Sequence, residues 1–125
     1  MIESTDYWEL PIKGLTVTRC LIDFSFGFEL DQGACIVSIH NSFSFMIDGK
    51  GYTLSPETQT SLCPVLAIFN ESVLDAKAYK SGNLAITFSN DSRLIVEPDP
   101  NYESWLVAGE DRALIVCGPG GGLAL

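Results

Sequence analysis

Positive charge is what this 125-residue sequence has least of: 7 lysines and arginines stand against 16 aspartates and glutamates, for a formal net charge of −9. Neutralising nucleic-acid phosphates takes clustered Lys and Arg, and anionic lipid surfaces make the same demand, so nucleic acid and membrane are both disfavoured as partners. Histidine occurs once, at His40, and the four cysteines (Cys20, Cys35, Cys63 and Cys117) include no Cys-x-x-Cys pair. A zinc centre needs three or four soft ligands in paired spacing and finds none. No stretch approaches the ~18 consecutive apolar residues of a membrane span, and the acidic start, Met1 to Glu9, lacks the basic flank and apolar run of a secretory signal. These absences predict a cytoplasmic protein whose cysteines are buried thiols inside apolar runs rather than disulfides. Gly118, Gly120, Gly121 and Gly122 have only three residues after them, so they do not open a helix and cannot cradle a phosphate. A turn into a last short strand fits them better, and no cofactor is expected.

What is present is 46% apolar residues in a length that suits one domain, 1–125, with residues 1–9 as a disordered arm. Short β-branched and aromatic runs, punctuated by Gly, Asn and Asp, predict strands at 15–22, 24–30, 35–39, 43–47, 52–54, 72–79, 84–88, 93–97, 103–108 and 113–117. In the second of these, Phe24, Phe26, Phe28 and Leu30 alternate with Ser25, Gly27 and Glu29, which puts three rings on one face. Asp48-Gly49 is a hairpin turn. One short helix is expected at about 61–69, with Pro64 in its first turn and Leu62, Val65, Leu66 and Phe69 on one buried face. The stretches 14–20 and 28–36 have the shape of 70–76 and 86–94, at offsets differing by two residues. The fold class is therefore mainly β (β-rich α+β): two copies of a three-stranded meander, joined by an extra hairpin and the helix and followed by a closing C-terminal hairpin.

Acidity is concentrated rather than spread. From Glu97 to Asp111 there are five carboxylates (Glu97, Asp99, Glu103, Glu110 and Asp111), no basic residue, and two large aromatics, Tyr102 and Trp105. Aromatic anchors amid one sign of charge describe a protein-binding patch, in which carboxylates steer a basic partner. A solvated loop with Trp105 turned into the core is the alternative. The steps Glu97, Asp99, Asn101, Glu103 imitate the stepping of a calcium loop, but the mid-loop glycine and distal glutamate are missing, and Pro98 and Pro100 stiffen the segment. Five phenylalanines, Phe24, Phe26, Phe28, Phe43 and Phe45, would line a cavity for an apolar small molecule if a β-barrel or sandwich left one, and otherwise form core. His40 paired with a carboxylate such as Glu103 would be an acid–base device.

Three segments carry a resemblance: Leu10-Pro11-Ile12-Lys13-Gly14-Leu15-Thr16-Val17-Thr18-Arg19, Cys63-Pro64-Val65-Leu66-Ala67, and above all Pro98-Asp99-Pro100-Asn101-Tyr102-Glu103-Ser104-Trp105 with Val116-Cys117-Gly118-Pro119-Gly120-Gly121. Together they resemble a family of small bacterial domains of unknown function, number 6188, over about 10–124. The chain departs from its pattern at Gly122, where an acidic residue is common, and at Leu125, where Trp is common. The resemblance implies a small intracellular single domain, similar in size and acidity to the immunity proteins encoded beside bacterial toxins. By that analogy the expected function is a non-enzymatic protein-binding domain covering a basic toxin, such as a nuclease.

Overall fold

A computed structural model describes residues 1–109 and 113–125. Among these residues the alternation in the sequence becomes thirteen strands: β1 (Ile2–Glu3), β2 (Tyr7–Glu9), β3 (Val17–Ile22), β4 (Phe26–Leu30), β5 (Cys35–Ile39), β6 (Phe43–Ile47), β7 (Lys50–Leu54), β8 (Val73–Tyr79), β9 (Leu84–Phe88), β10 (Arg93–Val96), β11 (Trp105–Gly109), β12 (Ala113–Cys117) and β13 (Leu123–Ala124). They form two antiparallel sheets, ordered β1-β2-β8-β9-β10-β6-β7 and β13-β12-β11-β5-β4-β3. Inward residues of both sheets enter one apolar core, where Phe26 stacks on Phe43 at 5.8 Å between ring centroids and Phe28 meets Phe88 edge-on. An antiparallel bridge, Thr16 to Ser72, with backbone hydrogen bonds on either side such as Val17 N–H to the Glu71 carbonyl and Val73 N–H to the Leu15 carbonyl, ties the sheets at one corner. Each sheet keeps its own edge strands, so the pair is an open sandwich rather than a closed barrel.

The predicted duplication is present in the hydrogen bonding. The β3–β4 pair runs from Val17↔Leu30 through a bulge to Arg19↔Glu29, and the β8–β9 pair from Val73↔Phe88 through a bulge to Asp75↔Thr87. Thr16 N–H donates to the Asp31 carboxylate and Ser72 N–H to the Ser89 hydroxyl, both at 2.9 Å. Each copy opens on a turn, closed by Leu15 N–H to the Ile12 carbonyl and by Glu71 N–H to the Ile68 carbonyl, with Gly14 and Asn70 at positive φ. The hairpins that extend the meanders are exchanged. β6–β7 leaves the first meander to pair with β10 of the second, and β11–β12 returns from the second to pair with β5 of the first.

Four expectations are corrected. Residues 1–9 are not a loose arm: β1 and β2 form a hairpin on the edge of β8, with Tyr7 opposite Tyr79. Its open flank is held by the Lys80–Glu3 ion pair and by Lys77 over the Tyr7 ring. Phe24 does not join Phe26 and Phe28, because Ser25 N–H and Oγ both bond the Asp23 carboxylate and bend the chain there; the ring is 94% exposed. The expected helix is a 3-10 helix, Gln59–Ile68, and its buried residues are Leu62, Val65 and Ile68. Three residues per turn align positions 62, 65 and 68, which leaves Leu66 and Phe69 outside. Cys63 lies on the same outer side, so one of the four free thiols is exposed rather than buried. As expected, the C-terminal glycines turn through Pro119–Gly121 into β13.

Candidate functional site

The segment richest in acid and aromatic residues divides once it is folded. Trp105 is fully buried, and its indole N–H donates to the Gly82 carbonyl at 2.9 Å, beside the Cys117 thiol, which donates to the same oxygen at 3.3 Å. It is therefore core, which corrects its place in the expected patch. Burial pushes the Cys117 thiol up, away from thiolate chemistry. Asp99 spends its carboxylate on its own loop, accepting from the N–H groups of Asn101 and Tyr102 at 2.8 and 3.1 Å. Its N–H bonds the Ser104 hydroxyl and its carbonyl accepts from Gly120 N–H. The calcium-like stepping of this loop thus serves an Asx turn. Gly82 and Gly121 touch so closely that a Cβ on Gly82 would lie 2.6 Å from the Gly121 Cα. The C-terminal glycine turn is in this way locked over the β8–β9 turn and the 97–104 loop.

Glu97, Tyr102 and Glu103 remain on the outside, with Tyr102 72% exposed. Glu110 and Asp111 lie outside the described residues. The fold brings other groups to the same end of the sandwich. Three adjoining depressions run across it, of about 310, 80 and 340 Å³, sharing Pro56 and Glu57 between the first two and Asn41 and Ser42 between the last two. Their lining includes Asp23, Phe24, Glu57, His40, Glu97 and Pro98 and, among the described residues, no lysine or arginine. The hydrogen bonds from Ser25 N–H and Oγ hold the Asp23 carboxyl below its ordinary range, so it is ionised wherever the protein is folded near neutral pH. Sequence reasoning missed Asp23 and Glu57, which come from separate loops, and gave Phe24 a place with the core phenylalanines rather than on this end. The turn chemistry of Asp23-Phe24-Ser25 was the available signal for Phe24.

His40 stands at the centre of this end. Its Nδ1 is 3.4 Å from Glu103 Oε1, the pairing expected from the sequence, and its Nε2 is 3.0 Å from Ser38 Oγ. An ionised carboxylate only accepts, so in the neutral ring the proton sits on Nδ1 and Nε2 accepts from the Ser38 hydroxyl. The order hydroxyl, imidazole, carboxylate is that of a nucleophile chain. Ser38 lies in mid-strand, however, its flanking backbone committed to ladders with β4 and β11 rather than converging as free N–H donors on a reacting oxygen. The five phenylalanines share no one cavity among the described residues: Phe26, Phe28 and Phe45 are fully buried in the core, Phe43 is core and borders the 340 Å³ depression, and Phe24 stands outside on the 310 Å³ one. Among the described residues no group of three or more His, Cys, Asp or Glu side chains is arranged to hold a metal ion, and no helix is long and apolar enough to cross a membrane.

A family model, described as a family of unknown function (DUF6188), matches residues 8–125. The chain belongs to the DUF6188 family. No curated protein and no solved structure matches it. In this DUF6188 chain the Pro-Asp-Pro-x-Tyr-Glu-x-Trp and Cys-x-Pro-Gly-Gly segments meet at one place, through Asp99, Ser104, Trp105, Cys117 and Gly121. These contacts hold the loop from which Tyr102 and Glu103 face outward at the acidic end.

Proposed function

We propose that this protein is a cytoplasmic binding domain without turnover of its own, which holds a basic protein partner against the acidic end of its sandwich. A cognate toxin of nuclease type, covered as an immunity protein covers it, is the partner this reading favours. The observation that carries it is the groove from Phe24 to Pro98, lined by Asp23, Glu57 and Glu97 and, among the described residues, by no lysine or arginine, at the end of the sandwich that also exposes the Phe24 and Tyr102 rings. Rings of this exposure supply anchors, and one-signed carboxylates supply steering that accelerates encounter. The test is affinity capture with the tagged chain from its source cell at about 50 and about 500 mM salt, a roughly threefold change in screening length. Recovery of a basic protein at low salt that is lost at high salt supports the reading, and so does its loss from a Glu97→Gln/Tyr102→Ala/Glu103→Gln variant. Recovery of no protein, or capture indifferent to salt, overturns it.

The Ser38–His40–Glu103 chain favours a second reading, acyl transfer at Ser38 with His40 as base. A fluorophosphonate probe distinguishes the two. A covalent adduct that disappears in Ser38→Ala and in His40→Ala supports catalysis, and an unmodified protein removes it.

A further inference from the structure

The duplication supplies an internal control for the two outer faces of the sandwich. Registers superpose β3-β4-β5-β11-β12 on β8-β9-β10-β6-β7: Val17↔Leu30 corresponds to Val73↔Phe88, Phe28↔Val37 to Ile86↔Leu94, Val37↔Val107 to Leu94↔Phe45, and Val107↔Ile115 to Phe45↔Tyr52. Outward positions can then be compared one with one. Leu21, Ile36, Leu106 and Val116 in the six-stranded sheet stand where the seven-stranded sheet has Lys77, Arg93, Ser44 and Thr53. Three pairs run the other way, Ser38 against Ile95, Ala108 against Met46 and, at the bulge, Thr18 against Leu74.

An antiparallel sheet with one face in water alternates apolar and polar residues, whereas a sheet covered on both faces reads as a continuous apolar run. β6 and β7 follow the first pattern, with Ser44, Met46, Gly51 and Thr53 exposed. β11 and β12 follow the second: Trp105-Leu106-Val107-Ala108 and Leu114-Ile115-Val116-Cys117 contain no polar residue, although only Trp105, Val107, Ile115 and Cys117 are buried in the core and Leu114 packs against it, which leaves Leu106, Ala108 and Val116 outward. At equal positions in the same fold, the second sheet has the composition of a covered face.

Charge selects what covers it. Among the described residues the aliphatic strip is bordered by Glu29, Asp23 and Glu103, against one arginine, Arg19, 3.9 Å from Glu29, and by His40 beside Glu103. Two copies of a chain of net charge −9 meeting through this face would set carboxylate against carboxylate. Five strands about 4.8 Å apart and five residues long offer roughly 350 Å². That is under half of the ~800 Å² each partner contributes to a stable interface. An occupant must therefore continue past the strip, and Glu103 and Asp23 lead directly onto the acidic groove.

We propose that the outer face of the six-stranded sheet, centred on Leu106 and Val116, is where a protein partner docks with an aliphatic surface ringed by lysine and arginine. This rests on the binding function proposed above and locates its footprint. The test places a photo-crosslinking p-benzoylphenylalanine at position 106, 44 or 102 of the full chain, one at a time, in its source cell. A basic protein is expected at 106 and not at 44. Once that protein is purified, Leu106→Lys should weaken its one-to-one binding by about 30-fold or more, as a central anchor does. Ser44→Lys should leave it within about twofold, as a substitution outside the contact does, both variants unfolding at wild-type temperature. A cross-link at 102 and not at 106 overturns this face while the binding function stands. Cross-linking at neither position, or only between two copies of the chain, overturns both.

Discussion

Gly121 and Gly120 are neighbours with opposite surroundings, and the contrast turns a conformational argument into a measurement. Both have positive φ, +93° and +76°. A Cβ on Gly121 would lie 2.5 Å from the Ser81 carbonyl oxygen, whereas one on Gly120 would meet nothing within 4 Å. Gly120→Ala should therefore cost only the left-handed backbone penalty, about 1 kcal/mol. Gly121→Ala adds an overpacking term and should lose about 3 kcal/mol. Urea denaturation of the two variants measures the difference; equal losses would mean that the glycine turn is not locked on the β8–β9 turn. Asp23 makes the corresponding argument for charge. Its carboxyl lies below the ordinary 3.8 first because Ser25 N–H donates to it, then because Ser25 Oγ does. A lowered folded-state value favours the folded protein above the unfolded pKa, and that contribution is lost as pH falls through the lowered value. In Ser25→Ala the Asp23 carboxyl resonance, followed by NMR, should titrate closer to 3.8 than in wild type but still below it, because the N–H donor survives.

The 3-10 helix, Gln59–Ile68, tests which period governs its packing. Ile68 is fully buried and Phe69 is 56% exposed, the reverse of what a 3.6-residue period gives. Ile68→Ala should destabilise by about 3 kcal/mol, as a buried aliphatic truncation does. Phe69→Ala should change stability by about 0.5 kcal/mol or less. Thermal or urea unfolding decides, and the opposite order would restore the α-helical period. The strands were far more legible than this helix. Cys35–Ile39, Phe43–Ile47, Leu84–Phe88 and Ala113–Cys117 run as their alternation predicted, because a two-residue period and the flanking turn residues are both local signals. A nine-residue apolar stretch with an internal proline carries both the 3.0 and the 3.6 period, and only contact with β3, β6 and β7 chooses between them. The site was half legible for the same reason. His40 and Glu103 could be paired by their chemistry. Trp105 inside, Asp99 consumed by its own loop, and Asp23 and Glu57 brought across from other loops are consequences of long-range packing that no local pattern encodes.

At the scale of the whole molecule, the exchange of hairpins decides how the protein comes apart. If each half carried its own hairpin, either sheet could be completed from one half of the chain and the two could melt separately. Here β6–β7 completes the sheet of β8, β9 and β10, and β11–β12 completes that of β3, β4 and β5, so opening either half strips strands from both sheets. The core crosses the same boundary, with Phe26 on Phe43 and Phe28 against Phe88. Unfolding should therefore be one cooperative transition, as for most domains of this length. Trp105 emission, followed in a Trp8→Phe variant so that only the six-stranded sheet reports, should coincide with far-UV ellipticity through a urea titration. Native-state hydrogen exchange gives the sharper reading. The slowest amides of β4 and of β9, one inside each sheet, should open with the same free energy, equal to that of global unfolding. A gap of more than about 1 kcal/mol between them would show that the sheets are separate cooperative units. The exchanged hairpins would then be a feature of chain path alone, without the energetic coupling that joins the acidic end, the aliphatic face and the core into one rigid surface.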